Sequence, residues 1–82
     1  MAEFLVESYV ARTDARGVDS RVSSARRAAT EQAGVRFVRS FFLPEDEICF
    51  LLFEAASADD VRDAARRADL RYERISEARR VP

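Results

Sequence analysis

Histidine and lysine are both missing from the 82 residues, so all 14 basic side chains are arginines. Without imidazole the chain lacks the usual general base and the commonest nitrogen ligand for transition metals. Without a lysine amine it cannot form a Schiff base. The single cysteine, Cys49, cannot by itself make an internal disulfide, a paired-cysteine metal clamp or an iron–sulfur site, and is expected to serve as a small core hydrophobe. With only two glycines there is no glycine-rich phosphate loop, and no nucleophile elbow is present. The 14 basic residues nearly balance 15 acidic ones, which removes the broad positive field that draws proteins to nucleic acid or anionic lipid. Neither nucleic acid nor membrane is therefore an expected partner. No apolar run is long enough to span a bilayer. The opening MAEFLVESYVAR carries acids within its apolar residues, unlike a signal peptide, so a cytoplasmic location is expected.

The length implies one domain, residues 1–82, near the size at which a single core only just offsets chain entropy. A second chain would help such a domain. Glu3 to Val10 alternates as a strand does. From about Asp14 to Ala33, Val18, Val22, Ala25 and Ala29 recur at helical spacing, with Gly17 able to delay the start and Gly34 supplying a stop. Val35 to Leu43 and Ile48 to Ala55 form a hairpin around Pro44-Glu45-Asp46-Glu47. Ser57 can cap a second helix whose Asp59 and Asp60 suit its positive end and whose apolar stripe is Val61, Ala64, Ala65 and Ala68. Arg71 to about Ala78 makes a last, weaker strand. The order β-α-β-β-α-β, with the tetrapeptide ARRA near the end of each helix, predicts a ferredoxin-like α+β sandwich. Its four antiparallel strands should run in the order 4-1-3-2, with both helices on one face.

Two helices cover only one face of such a sheet, yet the hairpin is apolar on both. With a four-residue turn, Arg39 faces Leu52, Phe41 faces Phe50 and Phe37 lies near Glu54 on one side, while Val38, Ser40, Phe42, Cys49, Leu51 and Phe53 fill the other. The open face is expected to hold Leu5, Glu7, Tyr9, Phe37, Arg39, Phe41, Phe50, Leu52, Glu54, Tyr72 and Arg74. That surface is too apolar to stay wet, and a second copy packed sheet to sheet through Leu5, Phe37, Phe41, Phe50 and Leu52 is the simplest cover. The polar residues of the same face, Glu7, Tyr9, Arg39 and Glu54, with Arg74 nearby, are the candidate site. They form either an arginine–carboxylate network that sets dimer register or a pocket in which paired carboxylates bind a cation or exchange protons.

Other features are less specific. The turn Glu45-Asp46-Glu47 lacks the spacing of a calcium loop and reads as a solvated turn. Arg26-Arg27, Arg66-Arg67 and Arg79-Arg80 read as solvent-facing or paired. The strand EICFLLFE lacks the glycine and basic residues with which RNA-binding domains of this topology touch RNA.

The run RSFFLPEDEICFLLFEAASADDVRDAARRADLRYERISEA, with FLVE at Phe4 to Glu7, resembles a family of small ferredoxin-like proteins, formerly a domain of unknown function, with a nickel-binding, nickel-responsive member. The resemblance implies a ferredoxin-like homodimer and, for some members, nickel. Many relatives carry a histidine where this chain has Arg39, and a cation cannot replace a nitrogen ligand. Nickel would be left with Glu7, Glu54 and water, or with Cys49 under a different facing. Two functions follow as expectations. One is a small dimeric binding protein with nickel or another small ligand on the open face. The other is a cofactor-independent isomerase, cyclase or oxygenase acting on an apolar molecule, with Glu7 or Glu54 as base, Tyr9 as proton donor and Arg39 stabilising an oxyanion.

Overall fold

The computed structural model describes residues 1–82 as six elements: β1 (Ala2–Tyr9), α1 (Ala15–Glu31), β2 (Arg36–Leu43), β3 (Ile48–Ala55), α2 (Ala58–Arg67) and β4 (Arg74–Ala78). The antiparallel sheet runs β2-β3-β1-β4, which is the expected 4-1-3-2 order, and the fold is ferredoxin-like. No helix is long and apolar enough to cross a membrane.

Strand period places the core. Along β3, Cys49, Leu51, Phe53 and Ala55 are buried while Ile48, Phe50, Leu52 and Glu54 are half-buried. From β1, Phe4 and Val6 join the buried set, and Val61, Ala64 and Ala65 of α2 and Ala25 and Ala28 of α1 close over it. Small residues on both helices let them approach the sheet closely. Phe53 and Leu51, essentially inaccessible, each contribute roughly 2–3 kcal/mol of transfer free energy.

One irregularity redirects a side chain. In β2, Phe37 pairs with Phe53, and Arg39 pairs with Leu52, so Val38 is an extra residue opposite no partner. This bulge breaks the alternation and turns Phe37, expected on the open face, to the helix side. There its ring lies 5.5 Å from that of Phe53, and the Arg26 guanidinium stacks 5.6 Å from its centroid. Arg26 thus covers an aromatic ring rather than facing water alone. Arg36 takes the open-face position opposite Glu54. Tyr72 is a second departure from the expected face. Regular pairing begins only at Arg74, so Tyr72 precedes the β4 ladder and packs against the core.

The caps follow local chemistry. Ser57 accepts a hydrogen bond from the Asp60 amide at 3.2 Å, and Gly34, with φ of 84°, provides the left-handed residue that ends the α1 connection. Asp14 caps α1 by accepting from the Gly17 amide at 3.0 Å. Gly17 does not delay the helix; it makes room for the cap. A Cβ there would lie 2.6 Å from Asp14 Oδ2 and 2.9 Å from Val10 Cγ1. Gly17→Ala is therefore expected to lose about 1 kcal/mol in urea unfolding, because the displaced cap outweighs alanine's better helix propensity. A stabilised variant would contradict that reading of the cap.

Candidate functional site

The sheet register sets the composition of the open face. On β1 it presents Glu3, Leu5, Glu7 and Tyr9, on β3 Ile48, Phe50, Leu52 and Glu54, on β2 Arg36, Arg39, Phe41 and Leu43, and on β4 Arg74 and Ser76. Phe41 remains 49% exposed and Leu43 39%, beside the half-buried Leu5, Phe50 and Leu52. Four of the five residues expected to form an apolar docking face are therefore present there, and Phe37 is not.

The candidate quartet is spread along the strands rather than gathered. Glu7 stands opposite Phe50, whereas Glu54 stands opposite Glu3, so the two expected carboxylates lie four residues apart along the ladder, about 13 Å. Each is engaged by its own arginine: Arg36 Nε donates to Glu54 Oε1 at 3.1 Å, and Arg74 Nε lies 3.4 Å from Glu7 Oε2. Arg39 makes no ion pair. Tyr9, 53% exposed, ends β1, and its amide donates to the Glu73 carboxylate. Cys49 is wholly buried on the helix side, where burial pushes its thiol up from the ordinary 9.0 despite the nearby Arg21. It is sealed from any ligand on the open face and held as a thiol, a poor nucleophile and a poor metal donor.

Two shallow depressions mark this side of the molecule. One, of about 330 Å³, is lined by Glu3, Arg39, Phe41 and Leu52 and by Ala78, Arg79 and Arg80 at the C-terminal end. The other, of about 260 Å³, lies at the end of β1 among Glu7, Tyr9, Asp46, Ile48 and Glu73. No three carboxylate or cysteine side chains converge on a point that could hold a metal ion. The acidic turn is tied down as well, since Glu47 accepts the Arg12 amide at 2.9 Å.

Glu3, Arg36 and Arg80 also belong to the charged part of this surface, outside the expected site. Glu3 was legible, because it shares the parity of Leu5 and Glu7. Arg36 was concealed by the bulge, and Arg80, beyond the last strand, carries no periodic signal. Arg80 grips Glu3 with two hydrogen bonds of 2.8 Å each, tying the segment that follows β4 to β1.

The hydrogen bonds from Arg80, reinforced by the positive charges of Arg80 and Arg36, hold the Glu3 carboxyl below its ordinary 4.5 against a smaller effect of burial. A depressed carboxyl pKa stabilises the fold above the unfolded value and loses that contribution as pH falls through the folded value. Thermal melts between about pH 6 and about pH 3 are therefore expected to show a steeper loss of stability below pH 4.5 in the wild type than in Glu3→Gln. Parallel curves would remove Glu3 from the acid response.

Against known proteins, no curated sequence matches the chain. Among solved structures, it superimposes on the crystal structure of SCO4226 from Streptomyces coelicolor A3(2) with a TM-score of 0.79 and 17% identity, covering 99% of this chain and 100% of that one. At that identity the likeness carries the fold. The family described as nickel responsive protein, SCO4226-like, matches residues 4–78, from the first strand through the last. The chain therefore belongs to the SCO4226-like family of nickel-responsive proteins.

Proposed function

We propose that the chain is a small homodimeric binding protein, which buries its open sheet face against a second copy and holds a small ligand beside Arg39. The observation that carries the reading is the apolar patch of Phe41, Leu43, Leu5, Phe50 and Leu52 on a face that neither helix covers. The molecule is a slab of 34 × 32 × 17 Å, and its broad side exceeds the roughly 800 Å² per partner of an ordinary stable interface. Finishing the burial of Phe41 alone would contribute on the order of 1 kcal/mol per copy.

Arg39 gives the ligand its chemistry. A guanidinium without a carboxylate partner, set between Phe41 and Leu52 at the rim of the 330 Å³ depression, suits an apolar small molecule with an acidic group. The second sheet would roof the depression and strengthen that ion pair by excluding water.

The family description adds nickel, and the residues here do not fit a nickel centre. Imidazole is absent, Cys49 faces the helices, and Glu3, Glu7 and Glu54 are each engaged by an arginine. Water and stray carboxylate oxygens suit magnesium, calcium or manganese better than nickel. Responding to nickel does not require the responding protein to ligate it. The enzyme reading is less favoured, because its carboxylates stand about 13 Å apart with separate arginine partners.

Native mass spectrometry of tag-free protein is expected to give a dimer that retains no discrete nickel ions after incubation with the metal. A monomer at micromolar concentration would overturn the dimer, and a dimer with stoichiometric nickel would overturn the donor argument. Phe41→Asp, at an exposed position, is expected to yield a folded monomer with unchanged far-ultraviolet circular dichroism. A dimer that survived this change would not be built on the sheet face.

A further inference from the structure

On the other side of the sheet lies a pocket of about 330 Å³ with no apolar side chain in its lining. On α1, Ser20, Ser23, Ser24 and Arg27 fall at i, i+3, i+4 and i+7, one stripe of the helix, with Arg21 alongside. The opposite wall is the segment between α2 and β4, where Asp69 adopts φ of 54° and Arg71 follows.

Two of the guanidiniums are held in place from behind. Arg21 donates through Nε to Ser8 Oγ at 2.7 Å and through Nη2 to the Tyr9 carbonyl at 3.3 Å. Ser8, 1% exposed, in turn donates to the Arg71 carbonyl at 2.6 Å, so one buried hydroxyl joins the two walls. Arg27 donates to the carbonyl of Ala68 at the end of α2, with Glu31 beside it at 3.6 Å. These bonds leave further N–H groups on both side chains for an incoming acceptor. The Arg71 side chain makes no hydrogen bond or ion pair, and neither does any of the three serine hydroxyls. Asp69, the one carboxylate in the lining, pairs with none of the arginines.

Three guanidiniums share this concavity; only Arg27 has an ion pair, the 3.6 Å contact with Glu31, and Asp69 in the lining pairs with none of them, so an anion between the three relieves the repulsion that remains. We propose that this pocket is an oxyanion site for a phosphorylated small molecule, its phosphate set between Arg21, Arg27 and Arg71 and its oxygens accepting from Ser20, Ser23 and Ser24. Guanidinium forks match phosphate oxygens, and the hydroxyls fill the remaining acceptor directions. A donor set on several sides favours a tetrahedral phosphate over a flat carboxylate. The volume leaves space for the organic part of a small phosphomonoester. The site is separate from the open face and stands or falls independently of it.

The test is a titration of ¹⁵N-labelled protein with inorganic phosphate at constant ionic strength, with acetate and chloride as parallel arms. Saturable shifts are expected at the amides of Ser20, Ser23 and Ser24 and the Nε–H of Arg21 and Arg27, with phosphate preferred to acetate. Arg71→Ala, which removes a side chain that bonds nothing, is expected to weaken binding about 10-fold, and Asp69→Asn to tighten it about 3-fold. Shifts that fail to saturate, that match those of acetate or chloride, or that persist unchanged in a well-dispersed Arg71→Ala spectrum would overturn the site.

Discussion

A sheet of four strands has two faces, and two helices dock on one of them. That geometric constraint organises everything else in this molecule. On the covered side the helices supply alanines where they approach and leave the bulk of the core to Phe53, Leu51, Phe4 and Val6. Opposite them, the same strands present leucines, isoleucine and phenylalanines interleaved with glutamates and arginines. Strand period forces the two inventories to alternate along the same backbone, so neither face can change its pattern without a shift in register.

The charges of the open face are arranged to suit that position. Glu3, Glu7 and Glu54 sit at the margins of the apolar patch, each held by an arginine from a different part of the chain: the C-terminal segment, β4 and β2. In the proposed dimer such pairs would set orientation more than affinity, because exposed ion pairs are screened. What distinguishes Arg39 is the lack of any such claim on it. The helix side shows a different arrangement, with Arg21 and Arg27 anchored through a buried serine and carbonyl groups and only Arg27 paired with a carboxylate, that of Glu31.

Most of the architecture could be read from the chain. The alternation of Ile48 to Ala55 is unbroken, and the strand has those same bounds; Ser57, the acids Asp59 and Asp60 and the stripe from Val61 together mark the second helix. The expectation for Phe37 failed because a bulge inserts one residue at Val38, and nothing in the letters Arg-Phe-Val-Arg distinguishes a bulged from a regular strand. Tyr72 was misplaced for a related reason: the ladder of β4 begins two residues later than its apolar pattern does. The site was less legible than the fold. Placing Glu7 and Glu54 on one face was correct, but their separation depends on which residues stand opposite, which a parity argument does not supply. Arg80 reaches Glu3 from 77 residues away in sequence, a contact that only the closed chain creates.

The bulge in β2 has one more effect. Its strand is one edge of the sheet, and the other edge is the five-residue β4. An edge that is kinked, or very short, is a poor template for another chain to add a strand. Extension within the plane of the sheet, the route to open-ended fibres, is therefore obstructed at both ends. The proposed face-to-face contact would be self-limiting, because once two faces had met, no apolar sheet surface would remain for a third molecule.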